Sequence, residues 1–127
     1  MDNILLKGTK TTPAVEMRFD QHFISMKGES YPENAVTFFG KLIEELRRFL
    51  ATPSSRRLNV EMDLKYLNSA STKMLYKFVE ELDGAAKKGR PVELAWCFDS
   101  DDSMLQEFGE DLGDAFKTIT LRLVAHA

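Results

Sequence analysis

Hydrophobic and polar residues alternate along several short segments of the chain, and this period of two is typical of half-buried β-strands. Val15, Met17 and Phe19 alternate with polar neighbours, and an apolar run resumes after a predicted turn at Asp20-Gln21, so these two segments predict a β-hairpin. Six segments in all show strand patterns. We predict strands at 4–7, 15–19, 23–26, 58–64, 92–98 and 117–124.

Three other segments repeat apolar residues every three or four positions, which predicts helices that pack one face on a core. The first follows Ser30, and Glu33 three residues later completes a capping box, so we predict Ser30 as the N-cap. The second begins near Ser69 and ends at Gly89, which suits the left-handed position after a helix. The third covers 103–112.

The order of these elements predicts the fold class. Strands and helices alternate after the first hairpin, and such alternation indicates a sheet covered by helices. We therefore predict an α/β fold with a single-layer mixed β-sheet flanked by about three helices. No repeat and no long linker divides the sequence, so we expect one domain over residues 1–127.

Composition narrows the classes of function. The 127 residues are 43% hydrophobic and 29% charged, with a net charge of −3, which argues against disorder and against a nucleic-acid partner. The single cysteine, Cys97, cannot form an internal disulfide, which favours a reducing cytoplasm. The sequence shows neither a signal peptide nor an apolar stretch of the ~20 residues that span a bilayer. We therefore expect a cytoplasmic protein without a membrane partner.

Residues with catalytic or metal-binding potential are few and scattered. His22 and His126 lie near opposite ends of the chain without the spacing of a zinc site. An acidic segment at 99–102 resembles a calcium loop, but Met104 occupies the place of its required glycine. Cys97 lies within an apolar strand, as packing cysteines do. We predict no metal, no cofactor, no small-molecule substrate and no enzymatic activity.

A cluster of small polar side chains lies where the second helix begins. Asn68, Ser69, Ser71 and Thr72 all fall near that N-terminus, and one of them is expected to cap the helix. A helix needs only one such cap, so the other polar side chains of the cluster are not explained by capping. A phosphoserine at this position would meet free backbone N–H groups and the positive end of the helix dipole. Two interpretations follow from the residues alone, namely plain N-capping and a phosphorylation switch.

The arrangement resembles the SpoIIAA or STAS-like class of bacterial anti-sigma-factor antagonists, in which a phosphorylatable serine begins a helix after a core strand. That class typically has Asp-Ser-Ser-Gly at this point, whereas this chain has Asn68-Ser69-Ala70-Ser71. The sequence is more similar to the SiaC family of bacterial regulatory phosphoproteins. The shared segments, in the order of the family, are Gly8-Thr9, Thr12-Pro13, Gly28 to Asn34, Tyr66 to Ser69, and Gly89 to Val92.

This resemblance implies a SpoIIAA/STAS-like fold and a specific function. The unphosphorylated protein would bind and activate a diguanylate cyclase, thereby raising cyclic di-GMP and influencing biofilm formation. A dedicated Ser/Thr kinase would phosphorylate Ser69 and abolish that binding, and a PP2C-type phosphatase would restore it. Ser71 and Thr72 are secondary acceptors. The partner-binding candidates are Tyr31, Pro32, Glu33, Asn34, Tyr66 and Asn68.

Two alternatives remain compatible with the sequence. One is an interaction adaptor that works without phosphorylation. The other is a partner-switching protein that acts like an anti-sigma-factor antagonist. The segment Glu29 to Asn34 is likewise open to two interpretations, a partner surface or only a helix cap.

Overall fold

The computed structural model describes residues 1–126, and its elements follow the predicted order. Three antiparallel strands, with a short 3-10 turn between the second and third, precede a regular alternation of helix and strand. The elements are β1 Ile4–Leu6, β2 Ala14–Arg18, the 3-10 turn Phe19–Gln21, β3 Phe23–Ser30, α1 Ala35–Leu50, β4 Leu58–Leu67, α2 Ser69–Lys87, β5 Val92–Asp99, α3 Ser103–Ala115 and β6 Thr120–His126. The predicted α/β class, mixed sheet and three helices are confirmed.

The six strands form one sheet in the order β1-β2-β3-β4-β5-β6. Strands β1, β2 and β3 pair antiparallel, whereas β3, β4, β5 and β6 pair parallel. Each parallel step needs a crossover, and α1, α2 and α3 supply the three crossovers. The carboxyl ends of four strands and the N-termini of all three helices therefore lie at one edge of the sheet.

The helices cover one face of the sheet. Along β4, buried Val60 and Met62 alternate with the more exposed Glu61 and Asp63. Met62 is in register with Trp96 of β5, whose indole N–H donates to the Leu105 carbonyl of α3 at 2.9 Å. The core therefore lies between the sheet and the helices. Polar side chains such as Glu61 and Asp63 occupy the opposite face.

The prediction that Ser30 caps the first helix was wrong. Strand β3 continues past Gly28, where its register against β4 shifts, and it ends at Ser30. The N-cap of α1 is Asn34, whose side-chain oxygen accepts the backbone N–H of Thr37 at 3.0 Å. Ser30 is instead fully buried, and its hydroxyl lies 2.9 Å from the Ser71 hydroxyl. Pairing with β4 thus overrides the local capping pattern.

The last strand also begins later than predicted. Helix α3 ends at Ala115 and β6 starts at Thr120, so residues 117–119 form a connection. Buried Asp83 of α2 holds this connection, because one of its carboxylate oxygens accepts the backbone N–H groups of Thr118 at 2.9 Å and Ile119 at 3.1 Å. None of the helices among residues 1–126 is both long enough and apolar enough to cross a bilayer.

Candidate functional site

Two segments far apart in sequence meet at the carboxyl edge of the sheet. The end of β3 lies beside the end of β4, where Ser30 is in register with Leu67. The backbone N–H of Asn68 donates to the Ser30 carbonyl at 3.0 Å. Just beyond, the rings of Tyr31 and Tyr66 meet edge to face, with centroids 5.7 Å apart. The structure thus brings the predicted partner-binding residues and the predicted phosphoacceptor onto one surface.

Asn68 is the residue that caps α2. Its side-chain oxygen accepts the backbone N–H of Ser71 at 2.9 Å, and its carbonyl accepts the N–H of Thr72 at 3.0 Å. The expectation that one polar residue of this cluster caps the helix is therefore confirmed. Because Asn68 performs the capping, the hydroxyl of Ser69 is not needed for it.

The three hydroxyls of the cluster have different environments. Ser69 is the first residue of α2, and its side chain is exposed. Ser71 is fully buried against Ser30. Thr72 is half-buried, and its hydroxyl donates to the Ser69 carbonyl at 2.7 Å. Phosphorylation of Ser71 or Thr72 would first break these interactions, whereas Ser69 is accessible as it stands.

The segment around Tyr31 is anchored to the rest of the domain. The backbone N–H of Tyr31 donates to the Thr11 carbonyl at 2.8 Å, which ties the segment to the β1–β2 connection. Tyr31 and Pro32 are half-buried, while Glu33 and Asn34 are exposed. Asn34 carries the helix cap, so Glu33 is left with a side chain directed to solvent rather than into a capping box. The segment is thus both a helix entry and an exposed part of the surface.

Charged groups nearby form exposed ion pairs on the open face of the sheet. The Lys65 ammonium lies 3.6 Å from Asp63 and 3.6 Å from Asp99. In a part-buried contact that does not depend on charge, the Nε2 of His126 lies within hydrogen-bond distance of Asp63, at 3.3 Å. Pairs of this kind contribute at most ~1 kcal/mol each because water screens them. They affect the electrostatic potential of this part of the surface more than they stabilise the fold.

Cys97 behaves as a packing residue in β5. It is buried, and burial raises the pKa of its thiol, with Asp63 and Glu61 adding to the rise. A thiol with a raised pKa is a poor nucleophile at neutral pH. Within the part of the chain that the structure describes, no three His, Cys, Asp or Glu side chains are placed to hold a metal ion.

Comparison with known proteins points to one family. A family model described as "SiaC family regulatory phosphoprotein" matches residues 6–126. An uncharacterized protein of Pseudomonas aeruginosa (strain UCBPP-PA14) is 36% identical over 111 residues, which cover 87% of each chain.

Solved structures agree with that match. The crystal structure of apo-SiaC from Pseudomonas aeruginosa superimposes with a TM-score of 0.89 at 33% identity, and the match covers 98% of this chain and 100% of that one. A second structure contains the diguanylate cyclase SiaD in complex with its activator SiaC, from the same organism. Its SiaC chain matches with a TM-score of 0.88 at 33% identity, over 97% of this chain and 99% of that one.

Proposed function

The chain belongs to the SiaC family of regulatory phosphoproteins, whose members are regulators rather than enzymes, and we propose that it binds and activates a diguanylate cyclase while Ser69 is unphosphorylated. A Ser/Thr kinase phosphorylates Ser69 and ends the complex. A PP2C-type phosphatase removes the phosphate and restores binding. The protein acts in the cytoplasm, where the cyclase, the kinase and the phosphatase can reach it.

One observation carries the proposal. Ser69 is the exposed hydroxyl of its cluster, and it begins α2 on the same surface as Tyr31 and Tyr66. Tyr66 is 52% exposed although its ring contacts Tyr31, so it offers apolar area to a partner. A modification of Ser69 therefore changes the surface that a partner would contact.

The helix terminus lets the domain tolerate this modification. A phosphate adds about −1.5 to −2 charges at neutral pH. The first backbone N–H groups of a helix have no intrahelical acceptor, and the dipole favours negative charge there by ~0.3–1 kcal/mol. Because Ser69 is exposed and Asn68 does the capping, the phosphate displaces no buried group. We therefore expect the phosphorylated domain to remain folded.

The same phosphate is unfavourable in a complex. A partner that covers Tyr66 and Ser69 would remove the phosphate from water, and an uncompensated buried charge costs several kcal/mol. Binding is thus lost through desolvation and charge, while the fold of the regulator is unchanged. This difference between the free and bound states is what makes Ser69 suitable as a switch.

The phosphoacceptor can be identified by intact mass. After incubation with the cognate kinase and ATP, the wild-type chain should gain the mass of one phosphate. Ser69→Ala should gain none, while Thr72→Ala, which removes the neighbouring half-buried hydroxyl, should still gain it. A full mass gain on Ser69→Ala would overturn the assignment. No gain by the wild-type chain with an active kinase would favour an adaptor that works without phosphorylation.

A further inference from the structure

The edge of the sheet opposite Ser69 contains a buried arginine that the proposed function does not use. Arg90 belongs to the segment Gly89 to Val92, which leads into β5, and only 5% of it is exposed. One guanidinium nitrogen, Nη2, donates to the Thr52 carbonyl at 2.5 Å, and the group lies 4.9 Å from the centre of the Phe49 ring. The other nitrogen, Nη1, is buried and has no hydrogen-bond partner among residues 1–126.

His22 lies in the same region, and one of its ring nitrogens is likewise unpaired. It precedes β3, and its Nδ1 is buried without a hydrogen-bond partner within residues 1–126. Its ring packs against Phe49 with centroids 5.2 Å apart. Burial lowers the pKa of His22, the cations of Arg56 and Arg90 lower it further, and a hydrogen bond with the Arg56 backbone opposes part of the shift. The surroundings of His22 are therefore electropositive.

These side chains line a cavity of about 430 Å³ beneath the α1–β4 connection. Arg48, Phe49 and Ser54 contribute to the same walls. A second cavity of about 540 Å³ shares Arg90, Pro53 and Ser54 with the first. Pro53 and Ser54 therefore lie beside Arg90, between the two cavities. The space exceeds what a small anion and several waters require.

We propose that the cavity lined by His22, Arg48, Ser54 and Arg90 binds a small oxyanion, either a phosphate group or a carboxylate. A desolvated guanidinium without an acidic partner costs free energy, and an oxyanion would supply the missing acceptors. No described carboxylate lies within 4.0 Å of the Arg90 guanidinium nitrogens. The planar fork of arginine fits both anions, and phosphate offers it more acceptor oxygens.

The other polar groups of the cavity agree with an anionic ligand. The Ser54 hydroxyl oxygen accepts the backbone N–H of Arg56 at 3.1 Å, which leaves its own proton free for donation. Asp20 is the acidic side chain of the wall, and one of its carboxylate oxygens already accepts from Asn3 at 2.9 Å. Arg48 lies at the rim, where it pairs with Glu45 at 3.1 Å. Among the lining residues, the positive charges of Arg48 and Arg90 outnumber the negative charge of Asp20.

The test is a titration of the full chain with inorganic phosphate, followed by backbone amide NMR at constant ionic strength. We expect saturable shifts confined to 19–22, 48–56 and 88–91. A parallel titration with acetate distinguishes a phosphate ligand from a carboxylate ligand, since the anion that binds more tightly identifies the class. Shifts that do not saturate with either anion, or that centre on the N-terminus of α2, would overturn the proposal.

Variants separate binding from folding in this test. Arg90→Lys keeps the positive charge but removes the planar guanidinium that can donate two parallel hydrogen bonds. We expect it to weaken phosphate binding by about tenfold. Arg48→Gln removes the cation at the rim of the cavity and should weaken binding even if Arg90→Lys does not fold. Arg122 is an exposed arginine of the outermost strand, β6, so Arg122→Gln is the matched control and should bind phosphate as the wild-type chain does. Equal phosphate affinity of the wild-type chain and Arg48→Gln would contradict the site. The measurement needs no cyclase, so its failure leaves the Ser69 proposal untouched.

Discussion

Asn68 combines two roles that decide how Ser69 is presented. Its side chain caps α2 through the Ser71 N–H, and its backbone N–H joins the end of β4 to the Ser30 carbonyl of β3. These two hydrogen bonds fix the start of the helix from both sides. Ser69 follows directly and needs no hydrogen bond of its own to hold the turn, so its hydroxyl is presented to solvent.

Removal of the cap gives a direct prediction at this scale. Asn68→Ala should lower the free energy of unfolding by ~1 kcal/mol, the usual cost of losing an Asn cap. Asn68→Ser, which can still accept the Ser71 N–H, should retain most of the stability. Urea unfolding of both variants measures the difference. Equal stability of Asn68→Ala and wild type would show that the cap contributes nothing.

The buried hydroxyl pair predicts a coupling between two distant positions. Ser30→Ala leaves the Ser71 hydroxyl unpaired in the core, which should lower the free energy of unfolding by ~1–3 kcal/mol. Ser71→Ala should lower it by a similar amount, because it leaves the Ser30 hydroxyl unpaired. The double variant removes both polar groups, so it should be destabilised by less than the sum of the single variants. A double-mutant cycle by urea unfolding measures this. Strict additivity would mean that the two hydroxyls do not interact.

At the scale of elements, local patterns predict the middles of helices and strands better than their ends. The end of α2 was predictable from the sequence, because glycine readily adopts the left-handed conformation that follows a helix. In the structure Gly89 has a φ of +105°, and its backbone N–H donates to the Ala86 carbonyl at 3.0 Å. The start of α1 was not, because the spacing of Ser30 and Glu33 imitates a capping box while β3 continues beside β4. The parallel register that overrides the pattern joins segments more than thirty residues apart and leaves no local signal.

The packing of α3 on the sheet gives a prediction with an internal control. A Cβ added at Gly109 would lie 2.4 Å from a Trp96 ring carbon and 2.8 Å from Leu123 Cδ2, so α3 would have to move. Gly109→Ala should cost ~1–3 kcal/mol, as overpacking does. At Gly113 the nearest such atom is 3.8 Å away, so Gly113→Ala should gain stability from helix propensity alone. Thermal unfolding of the two variants should give shifts of opposite sign, and equal shifts would contradict this packing.

At the scale of the molecule, the topology assembles the site. The family resemblance led to Ser69, Tyr66 and the segment from Tyr31, but it did not reveal that they adjoin. Their proximity follows from β3 and β4 being parallel neighbours whose carboxyl ends share an edge. The buried pair formed by Ser30 and Ser71 was not predicted either, because a hydrogen bond across 41 positions leaves no periodic trace in the sequence.

The same topology separates two regions with different chemistry. The edge with Ser69 has exposed aromatic and polar side chains, as a protein-binding surface requires. At the opposite edge, Arg90 and His22 line the cavity that we propose to bind an oxyanion. The two regions thus lie at opposite ends of the parallel strands, so we expect substitutions in one region to leave the other unchanged.

The proposed switch can be tested by calorimetry, which measures the affinity of the chain for its cognate diguanylate cyclase in two states of Ser69. Unphosphorylated protein should bind and stimulate the cyclase, and Ser69→Ala should do the same even after kinase treatment. Stoichiometrically phosphorylated protein should bind at least about 100-fold more weakly, since the complex would bury an unpaired charge. Equal affinity of the phosphorylated and unphosphorylated chains would contradict the central claim.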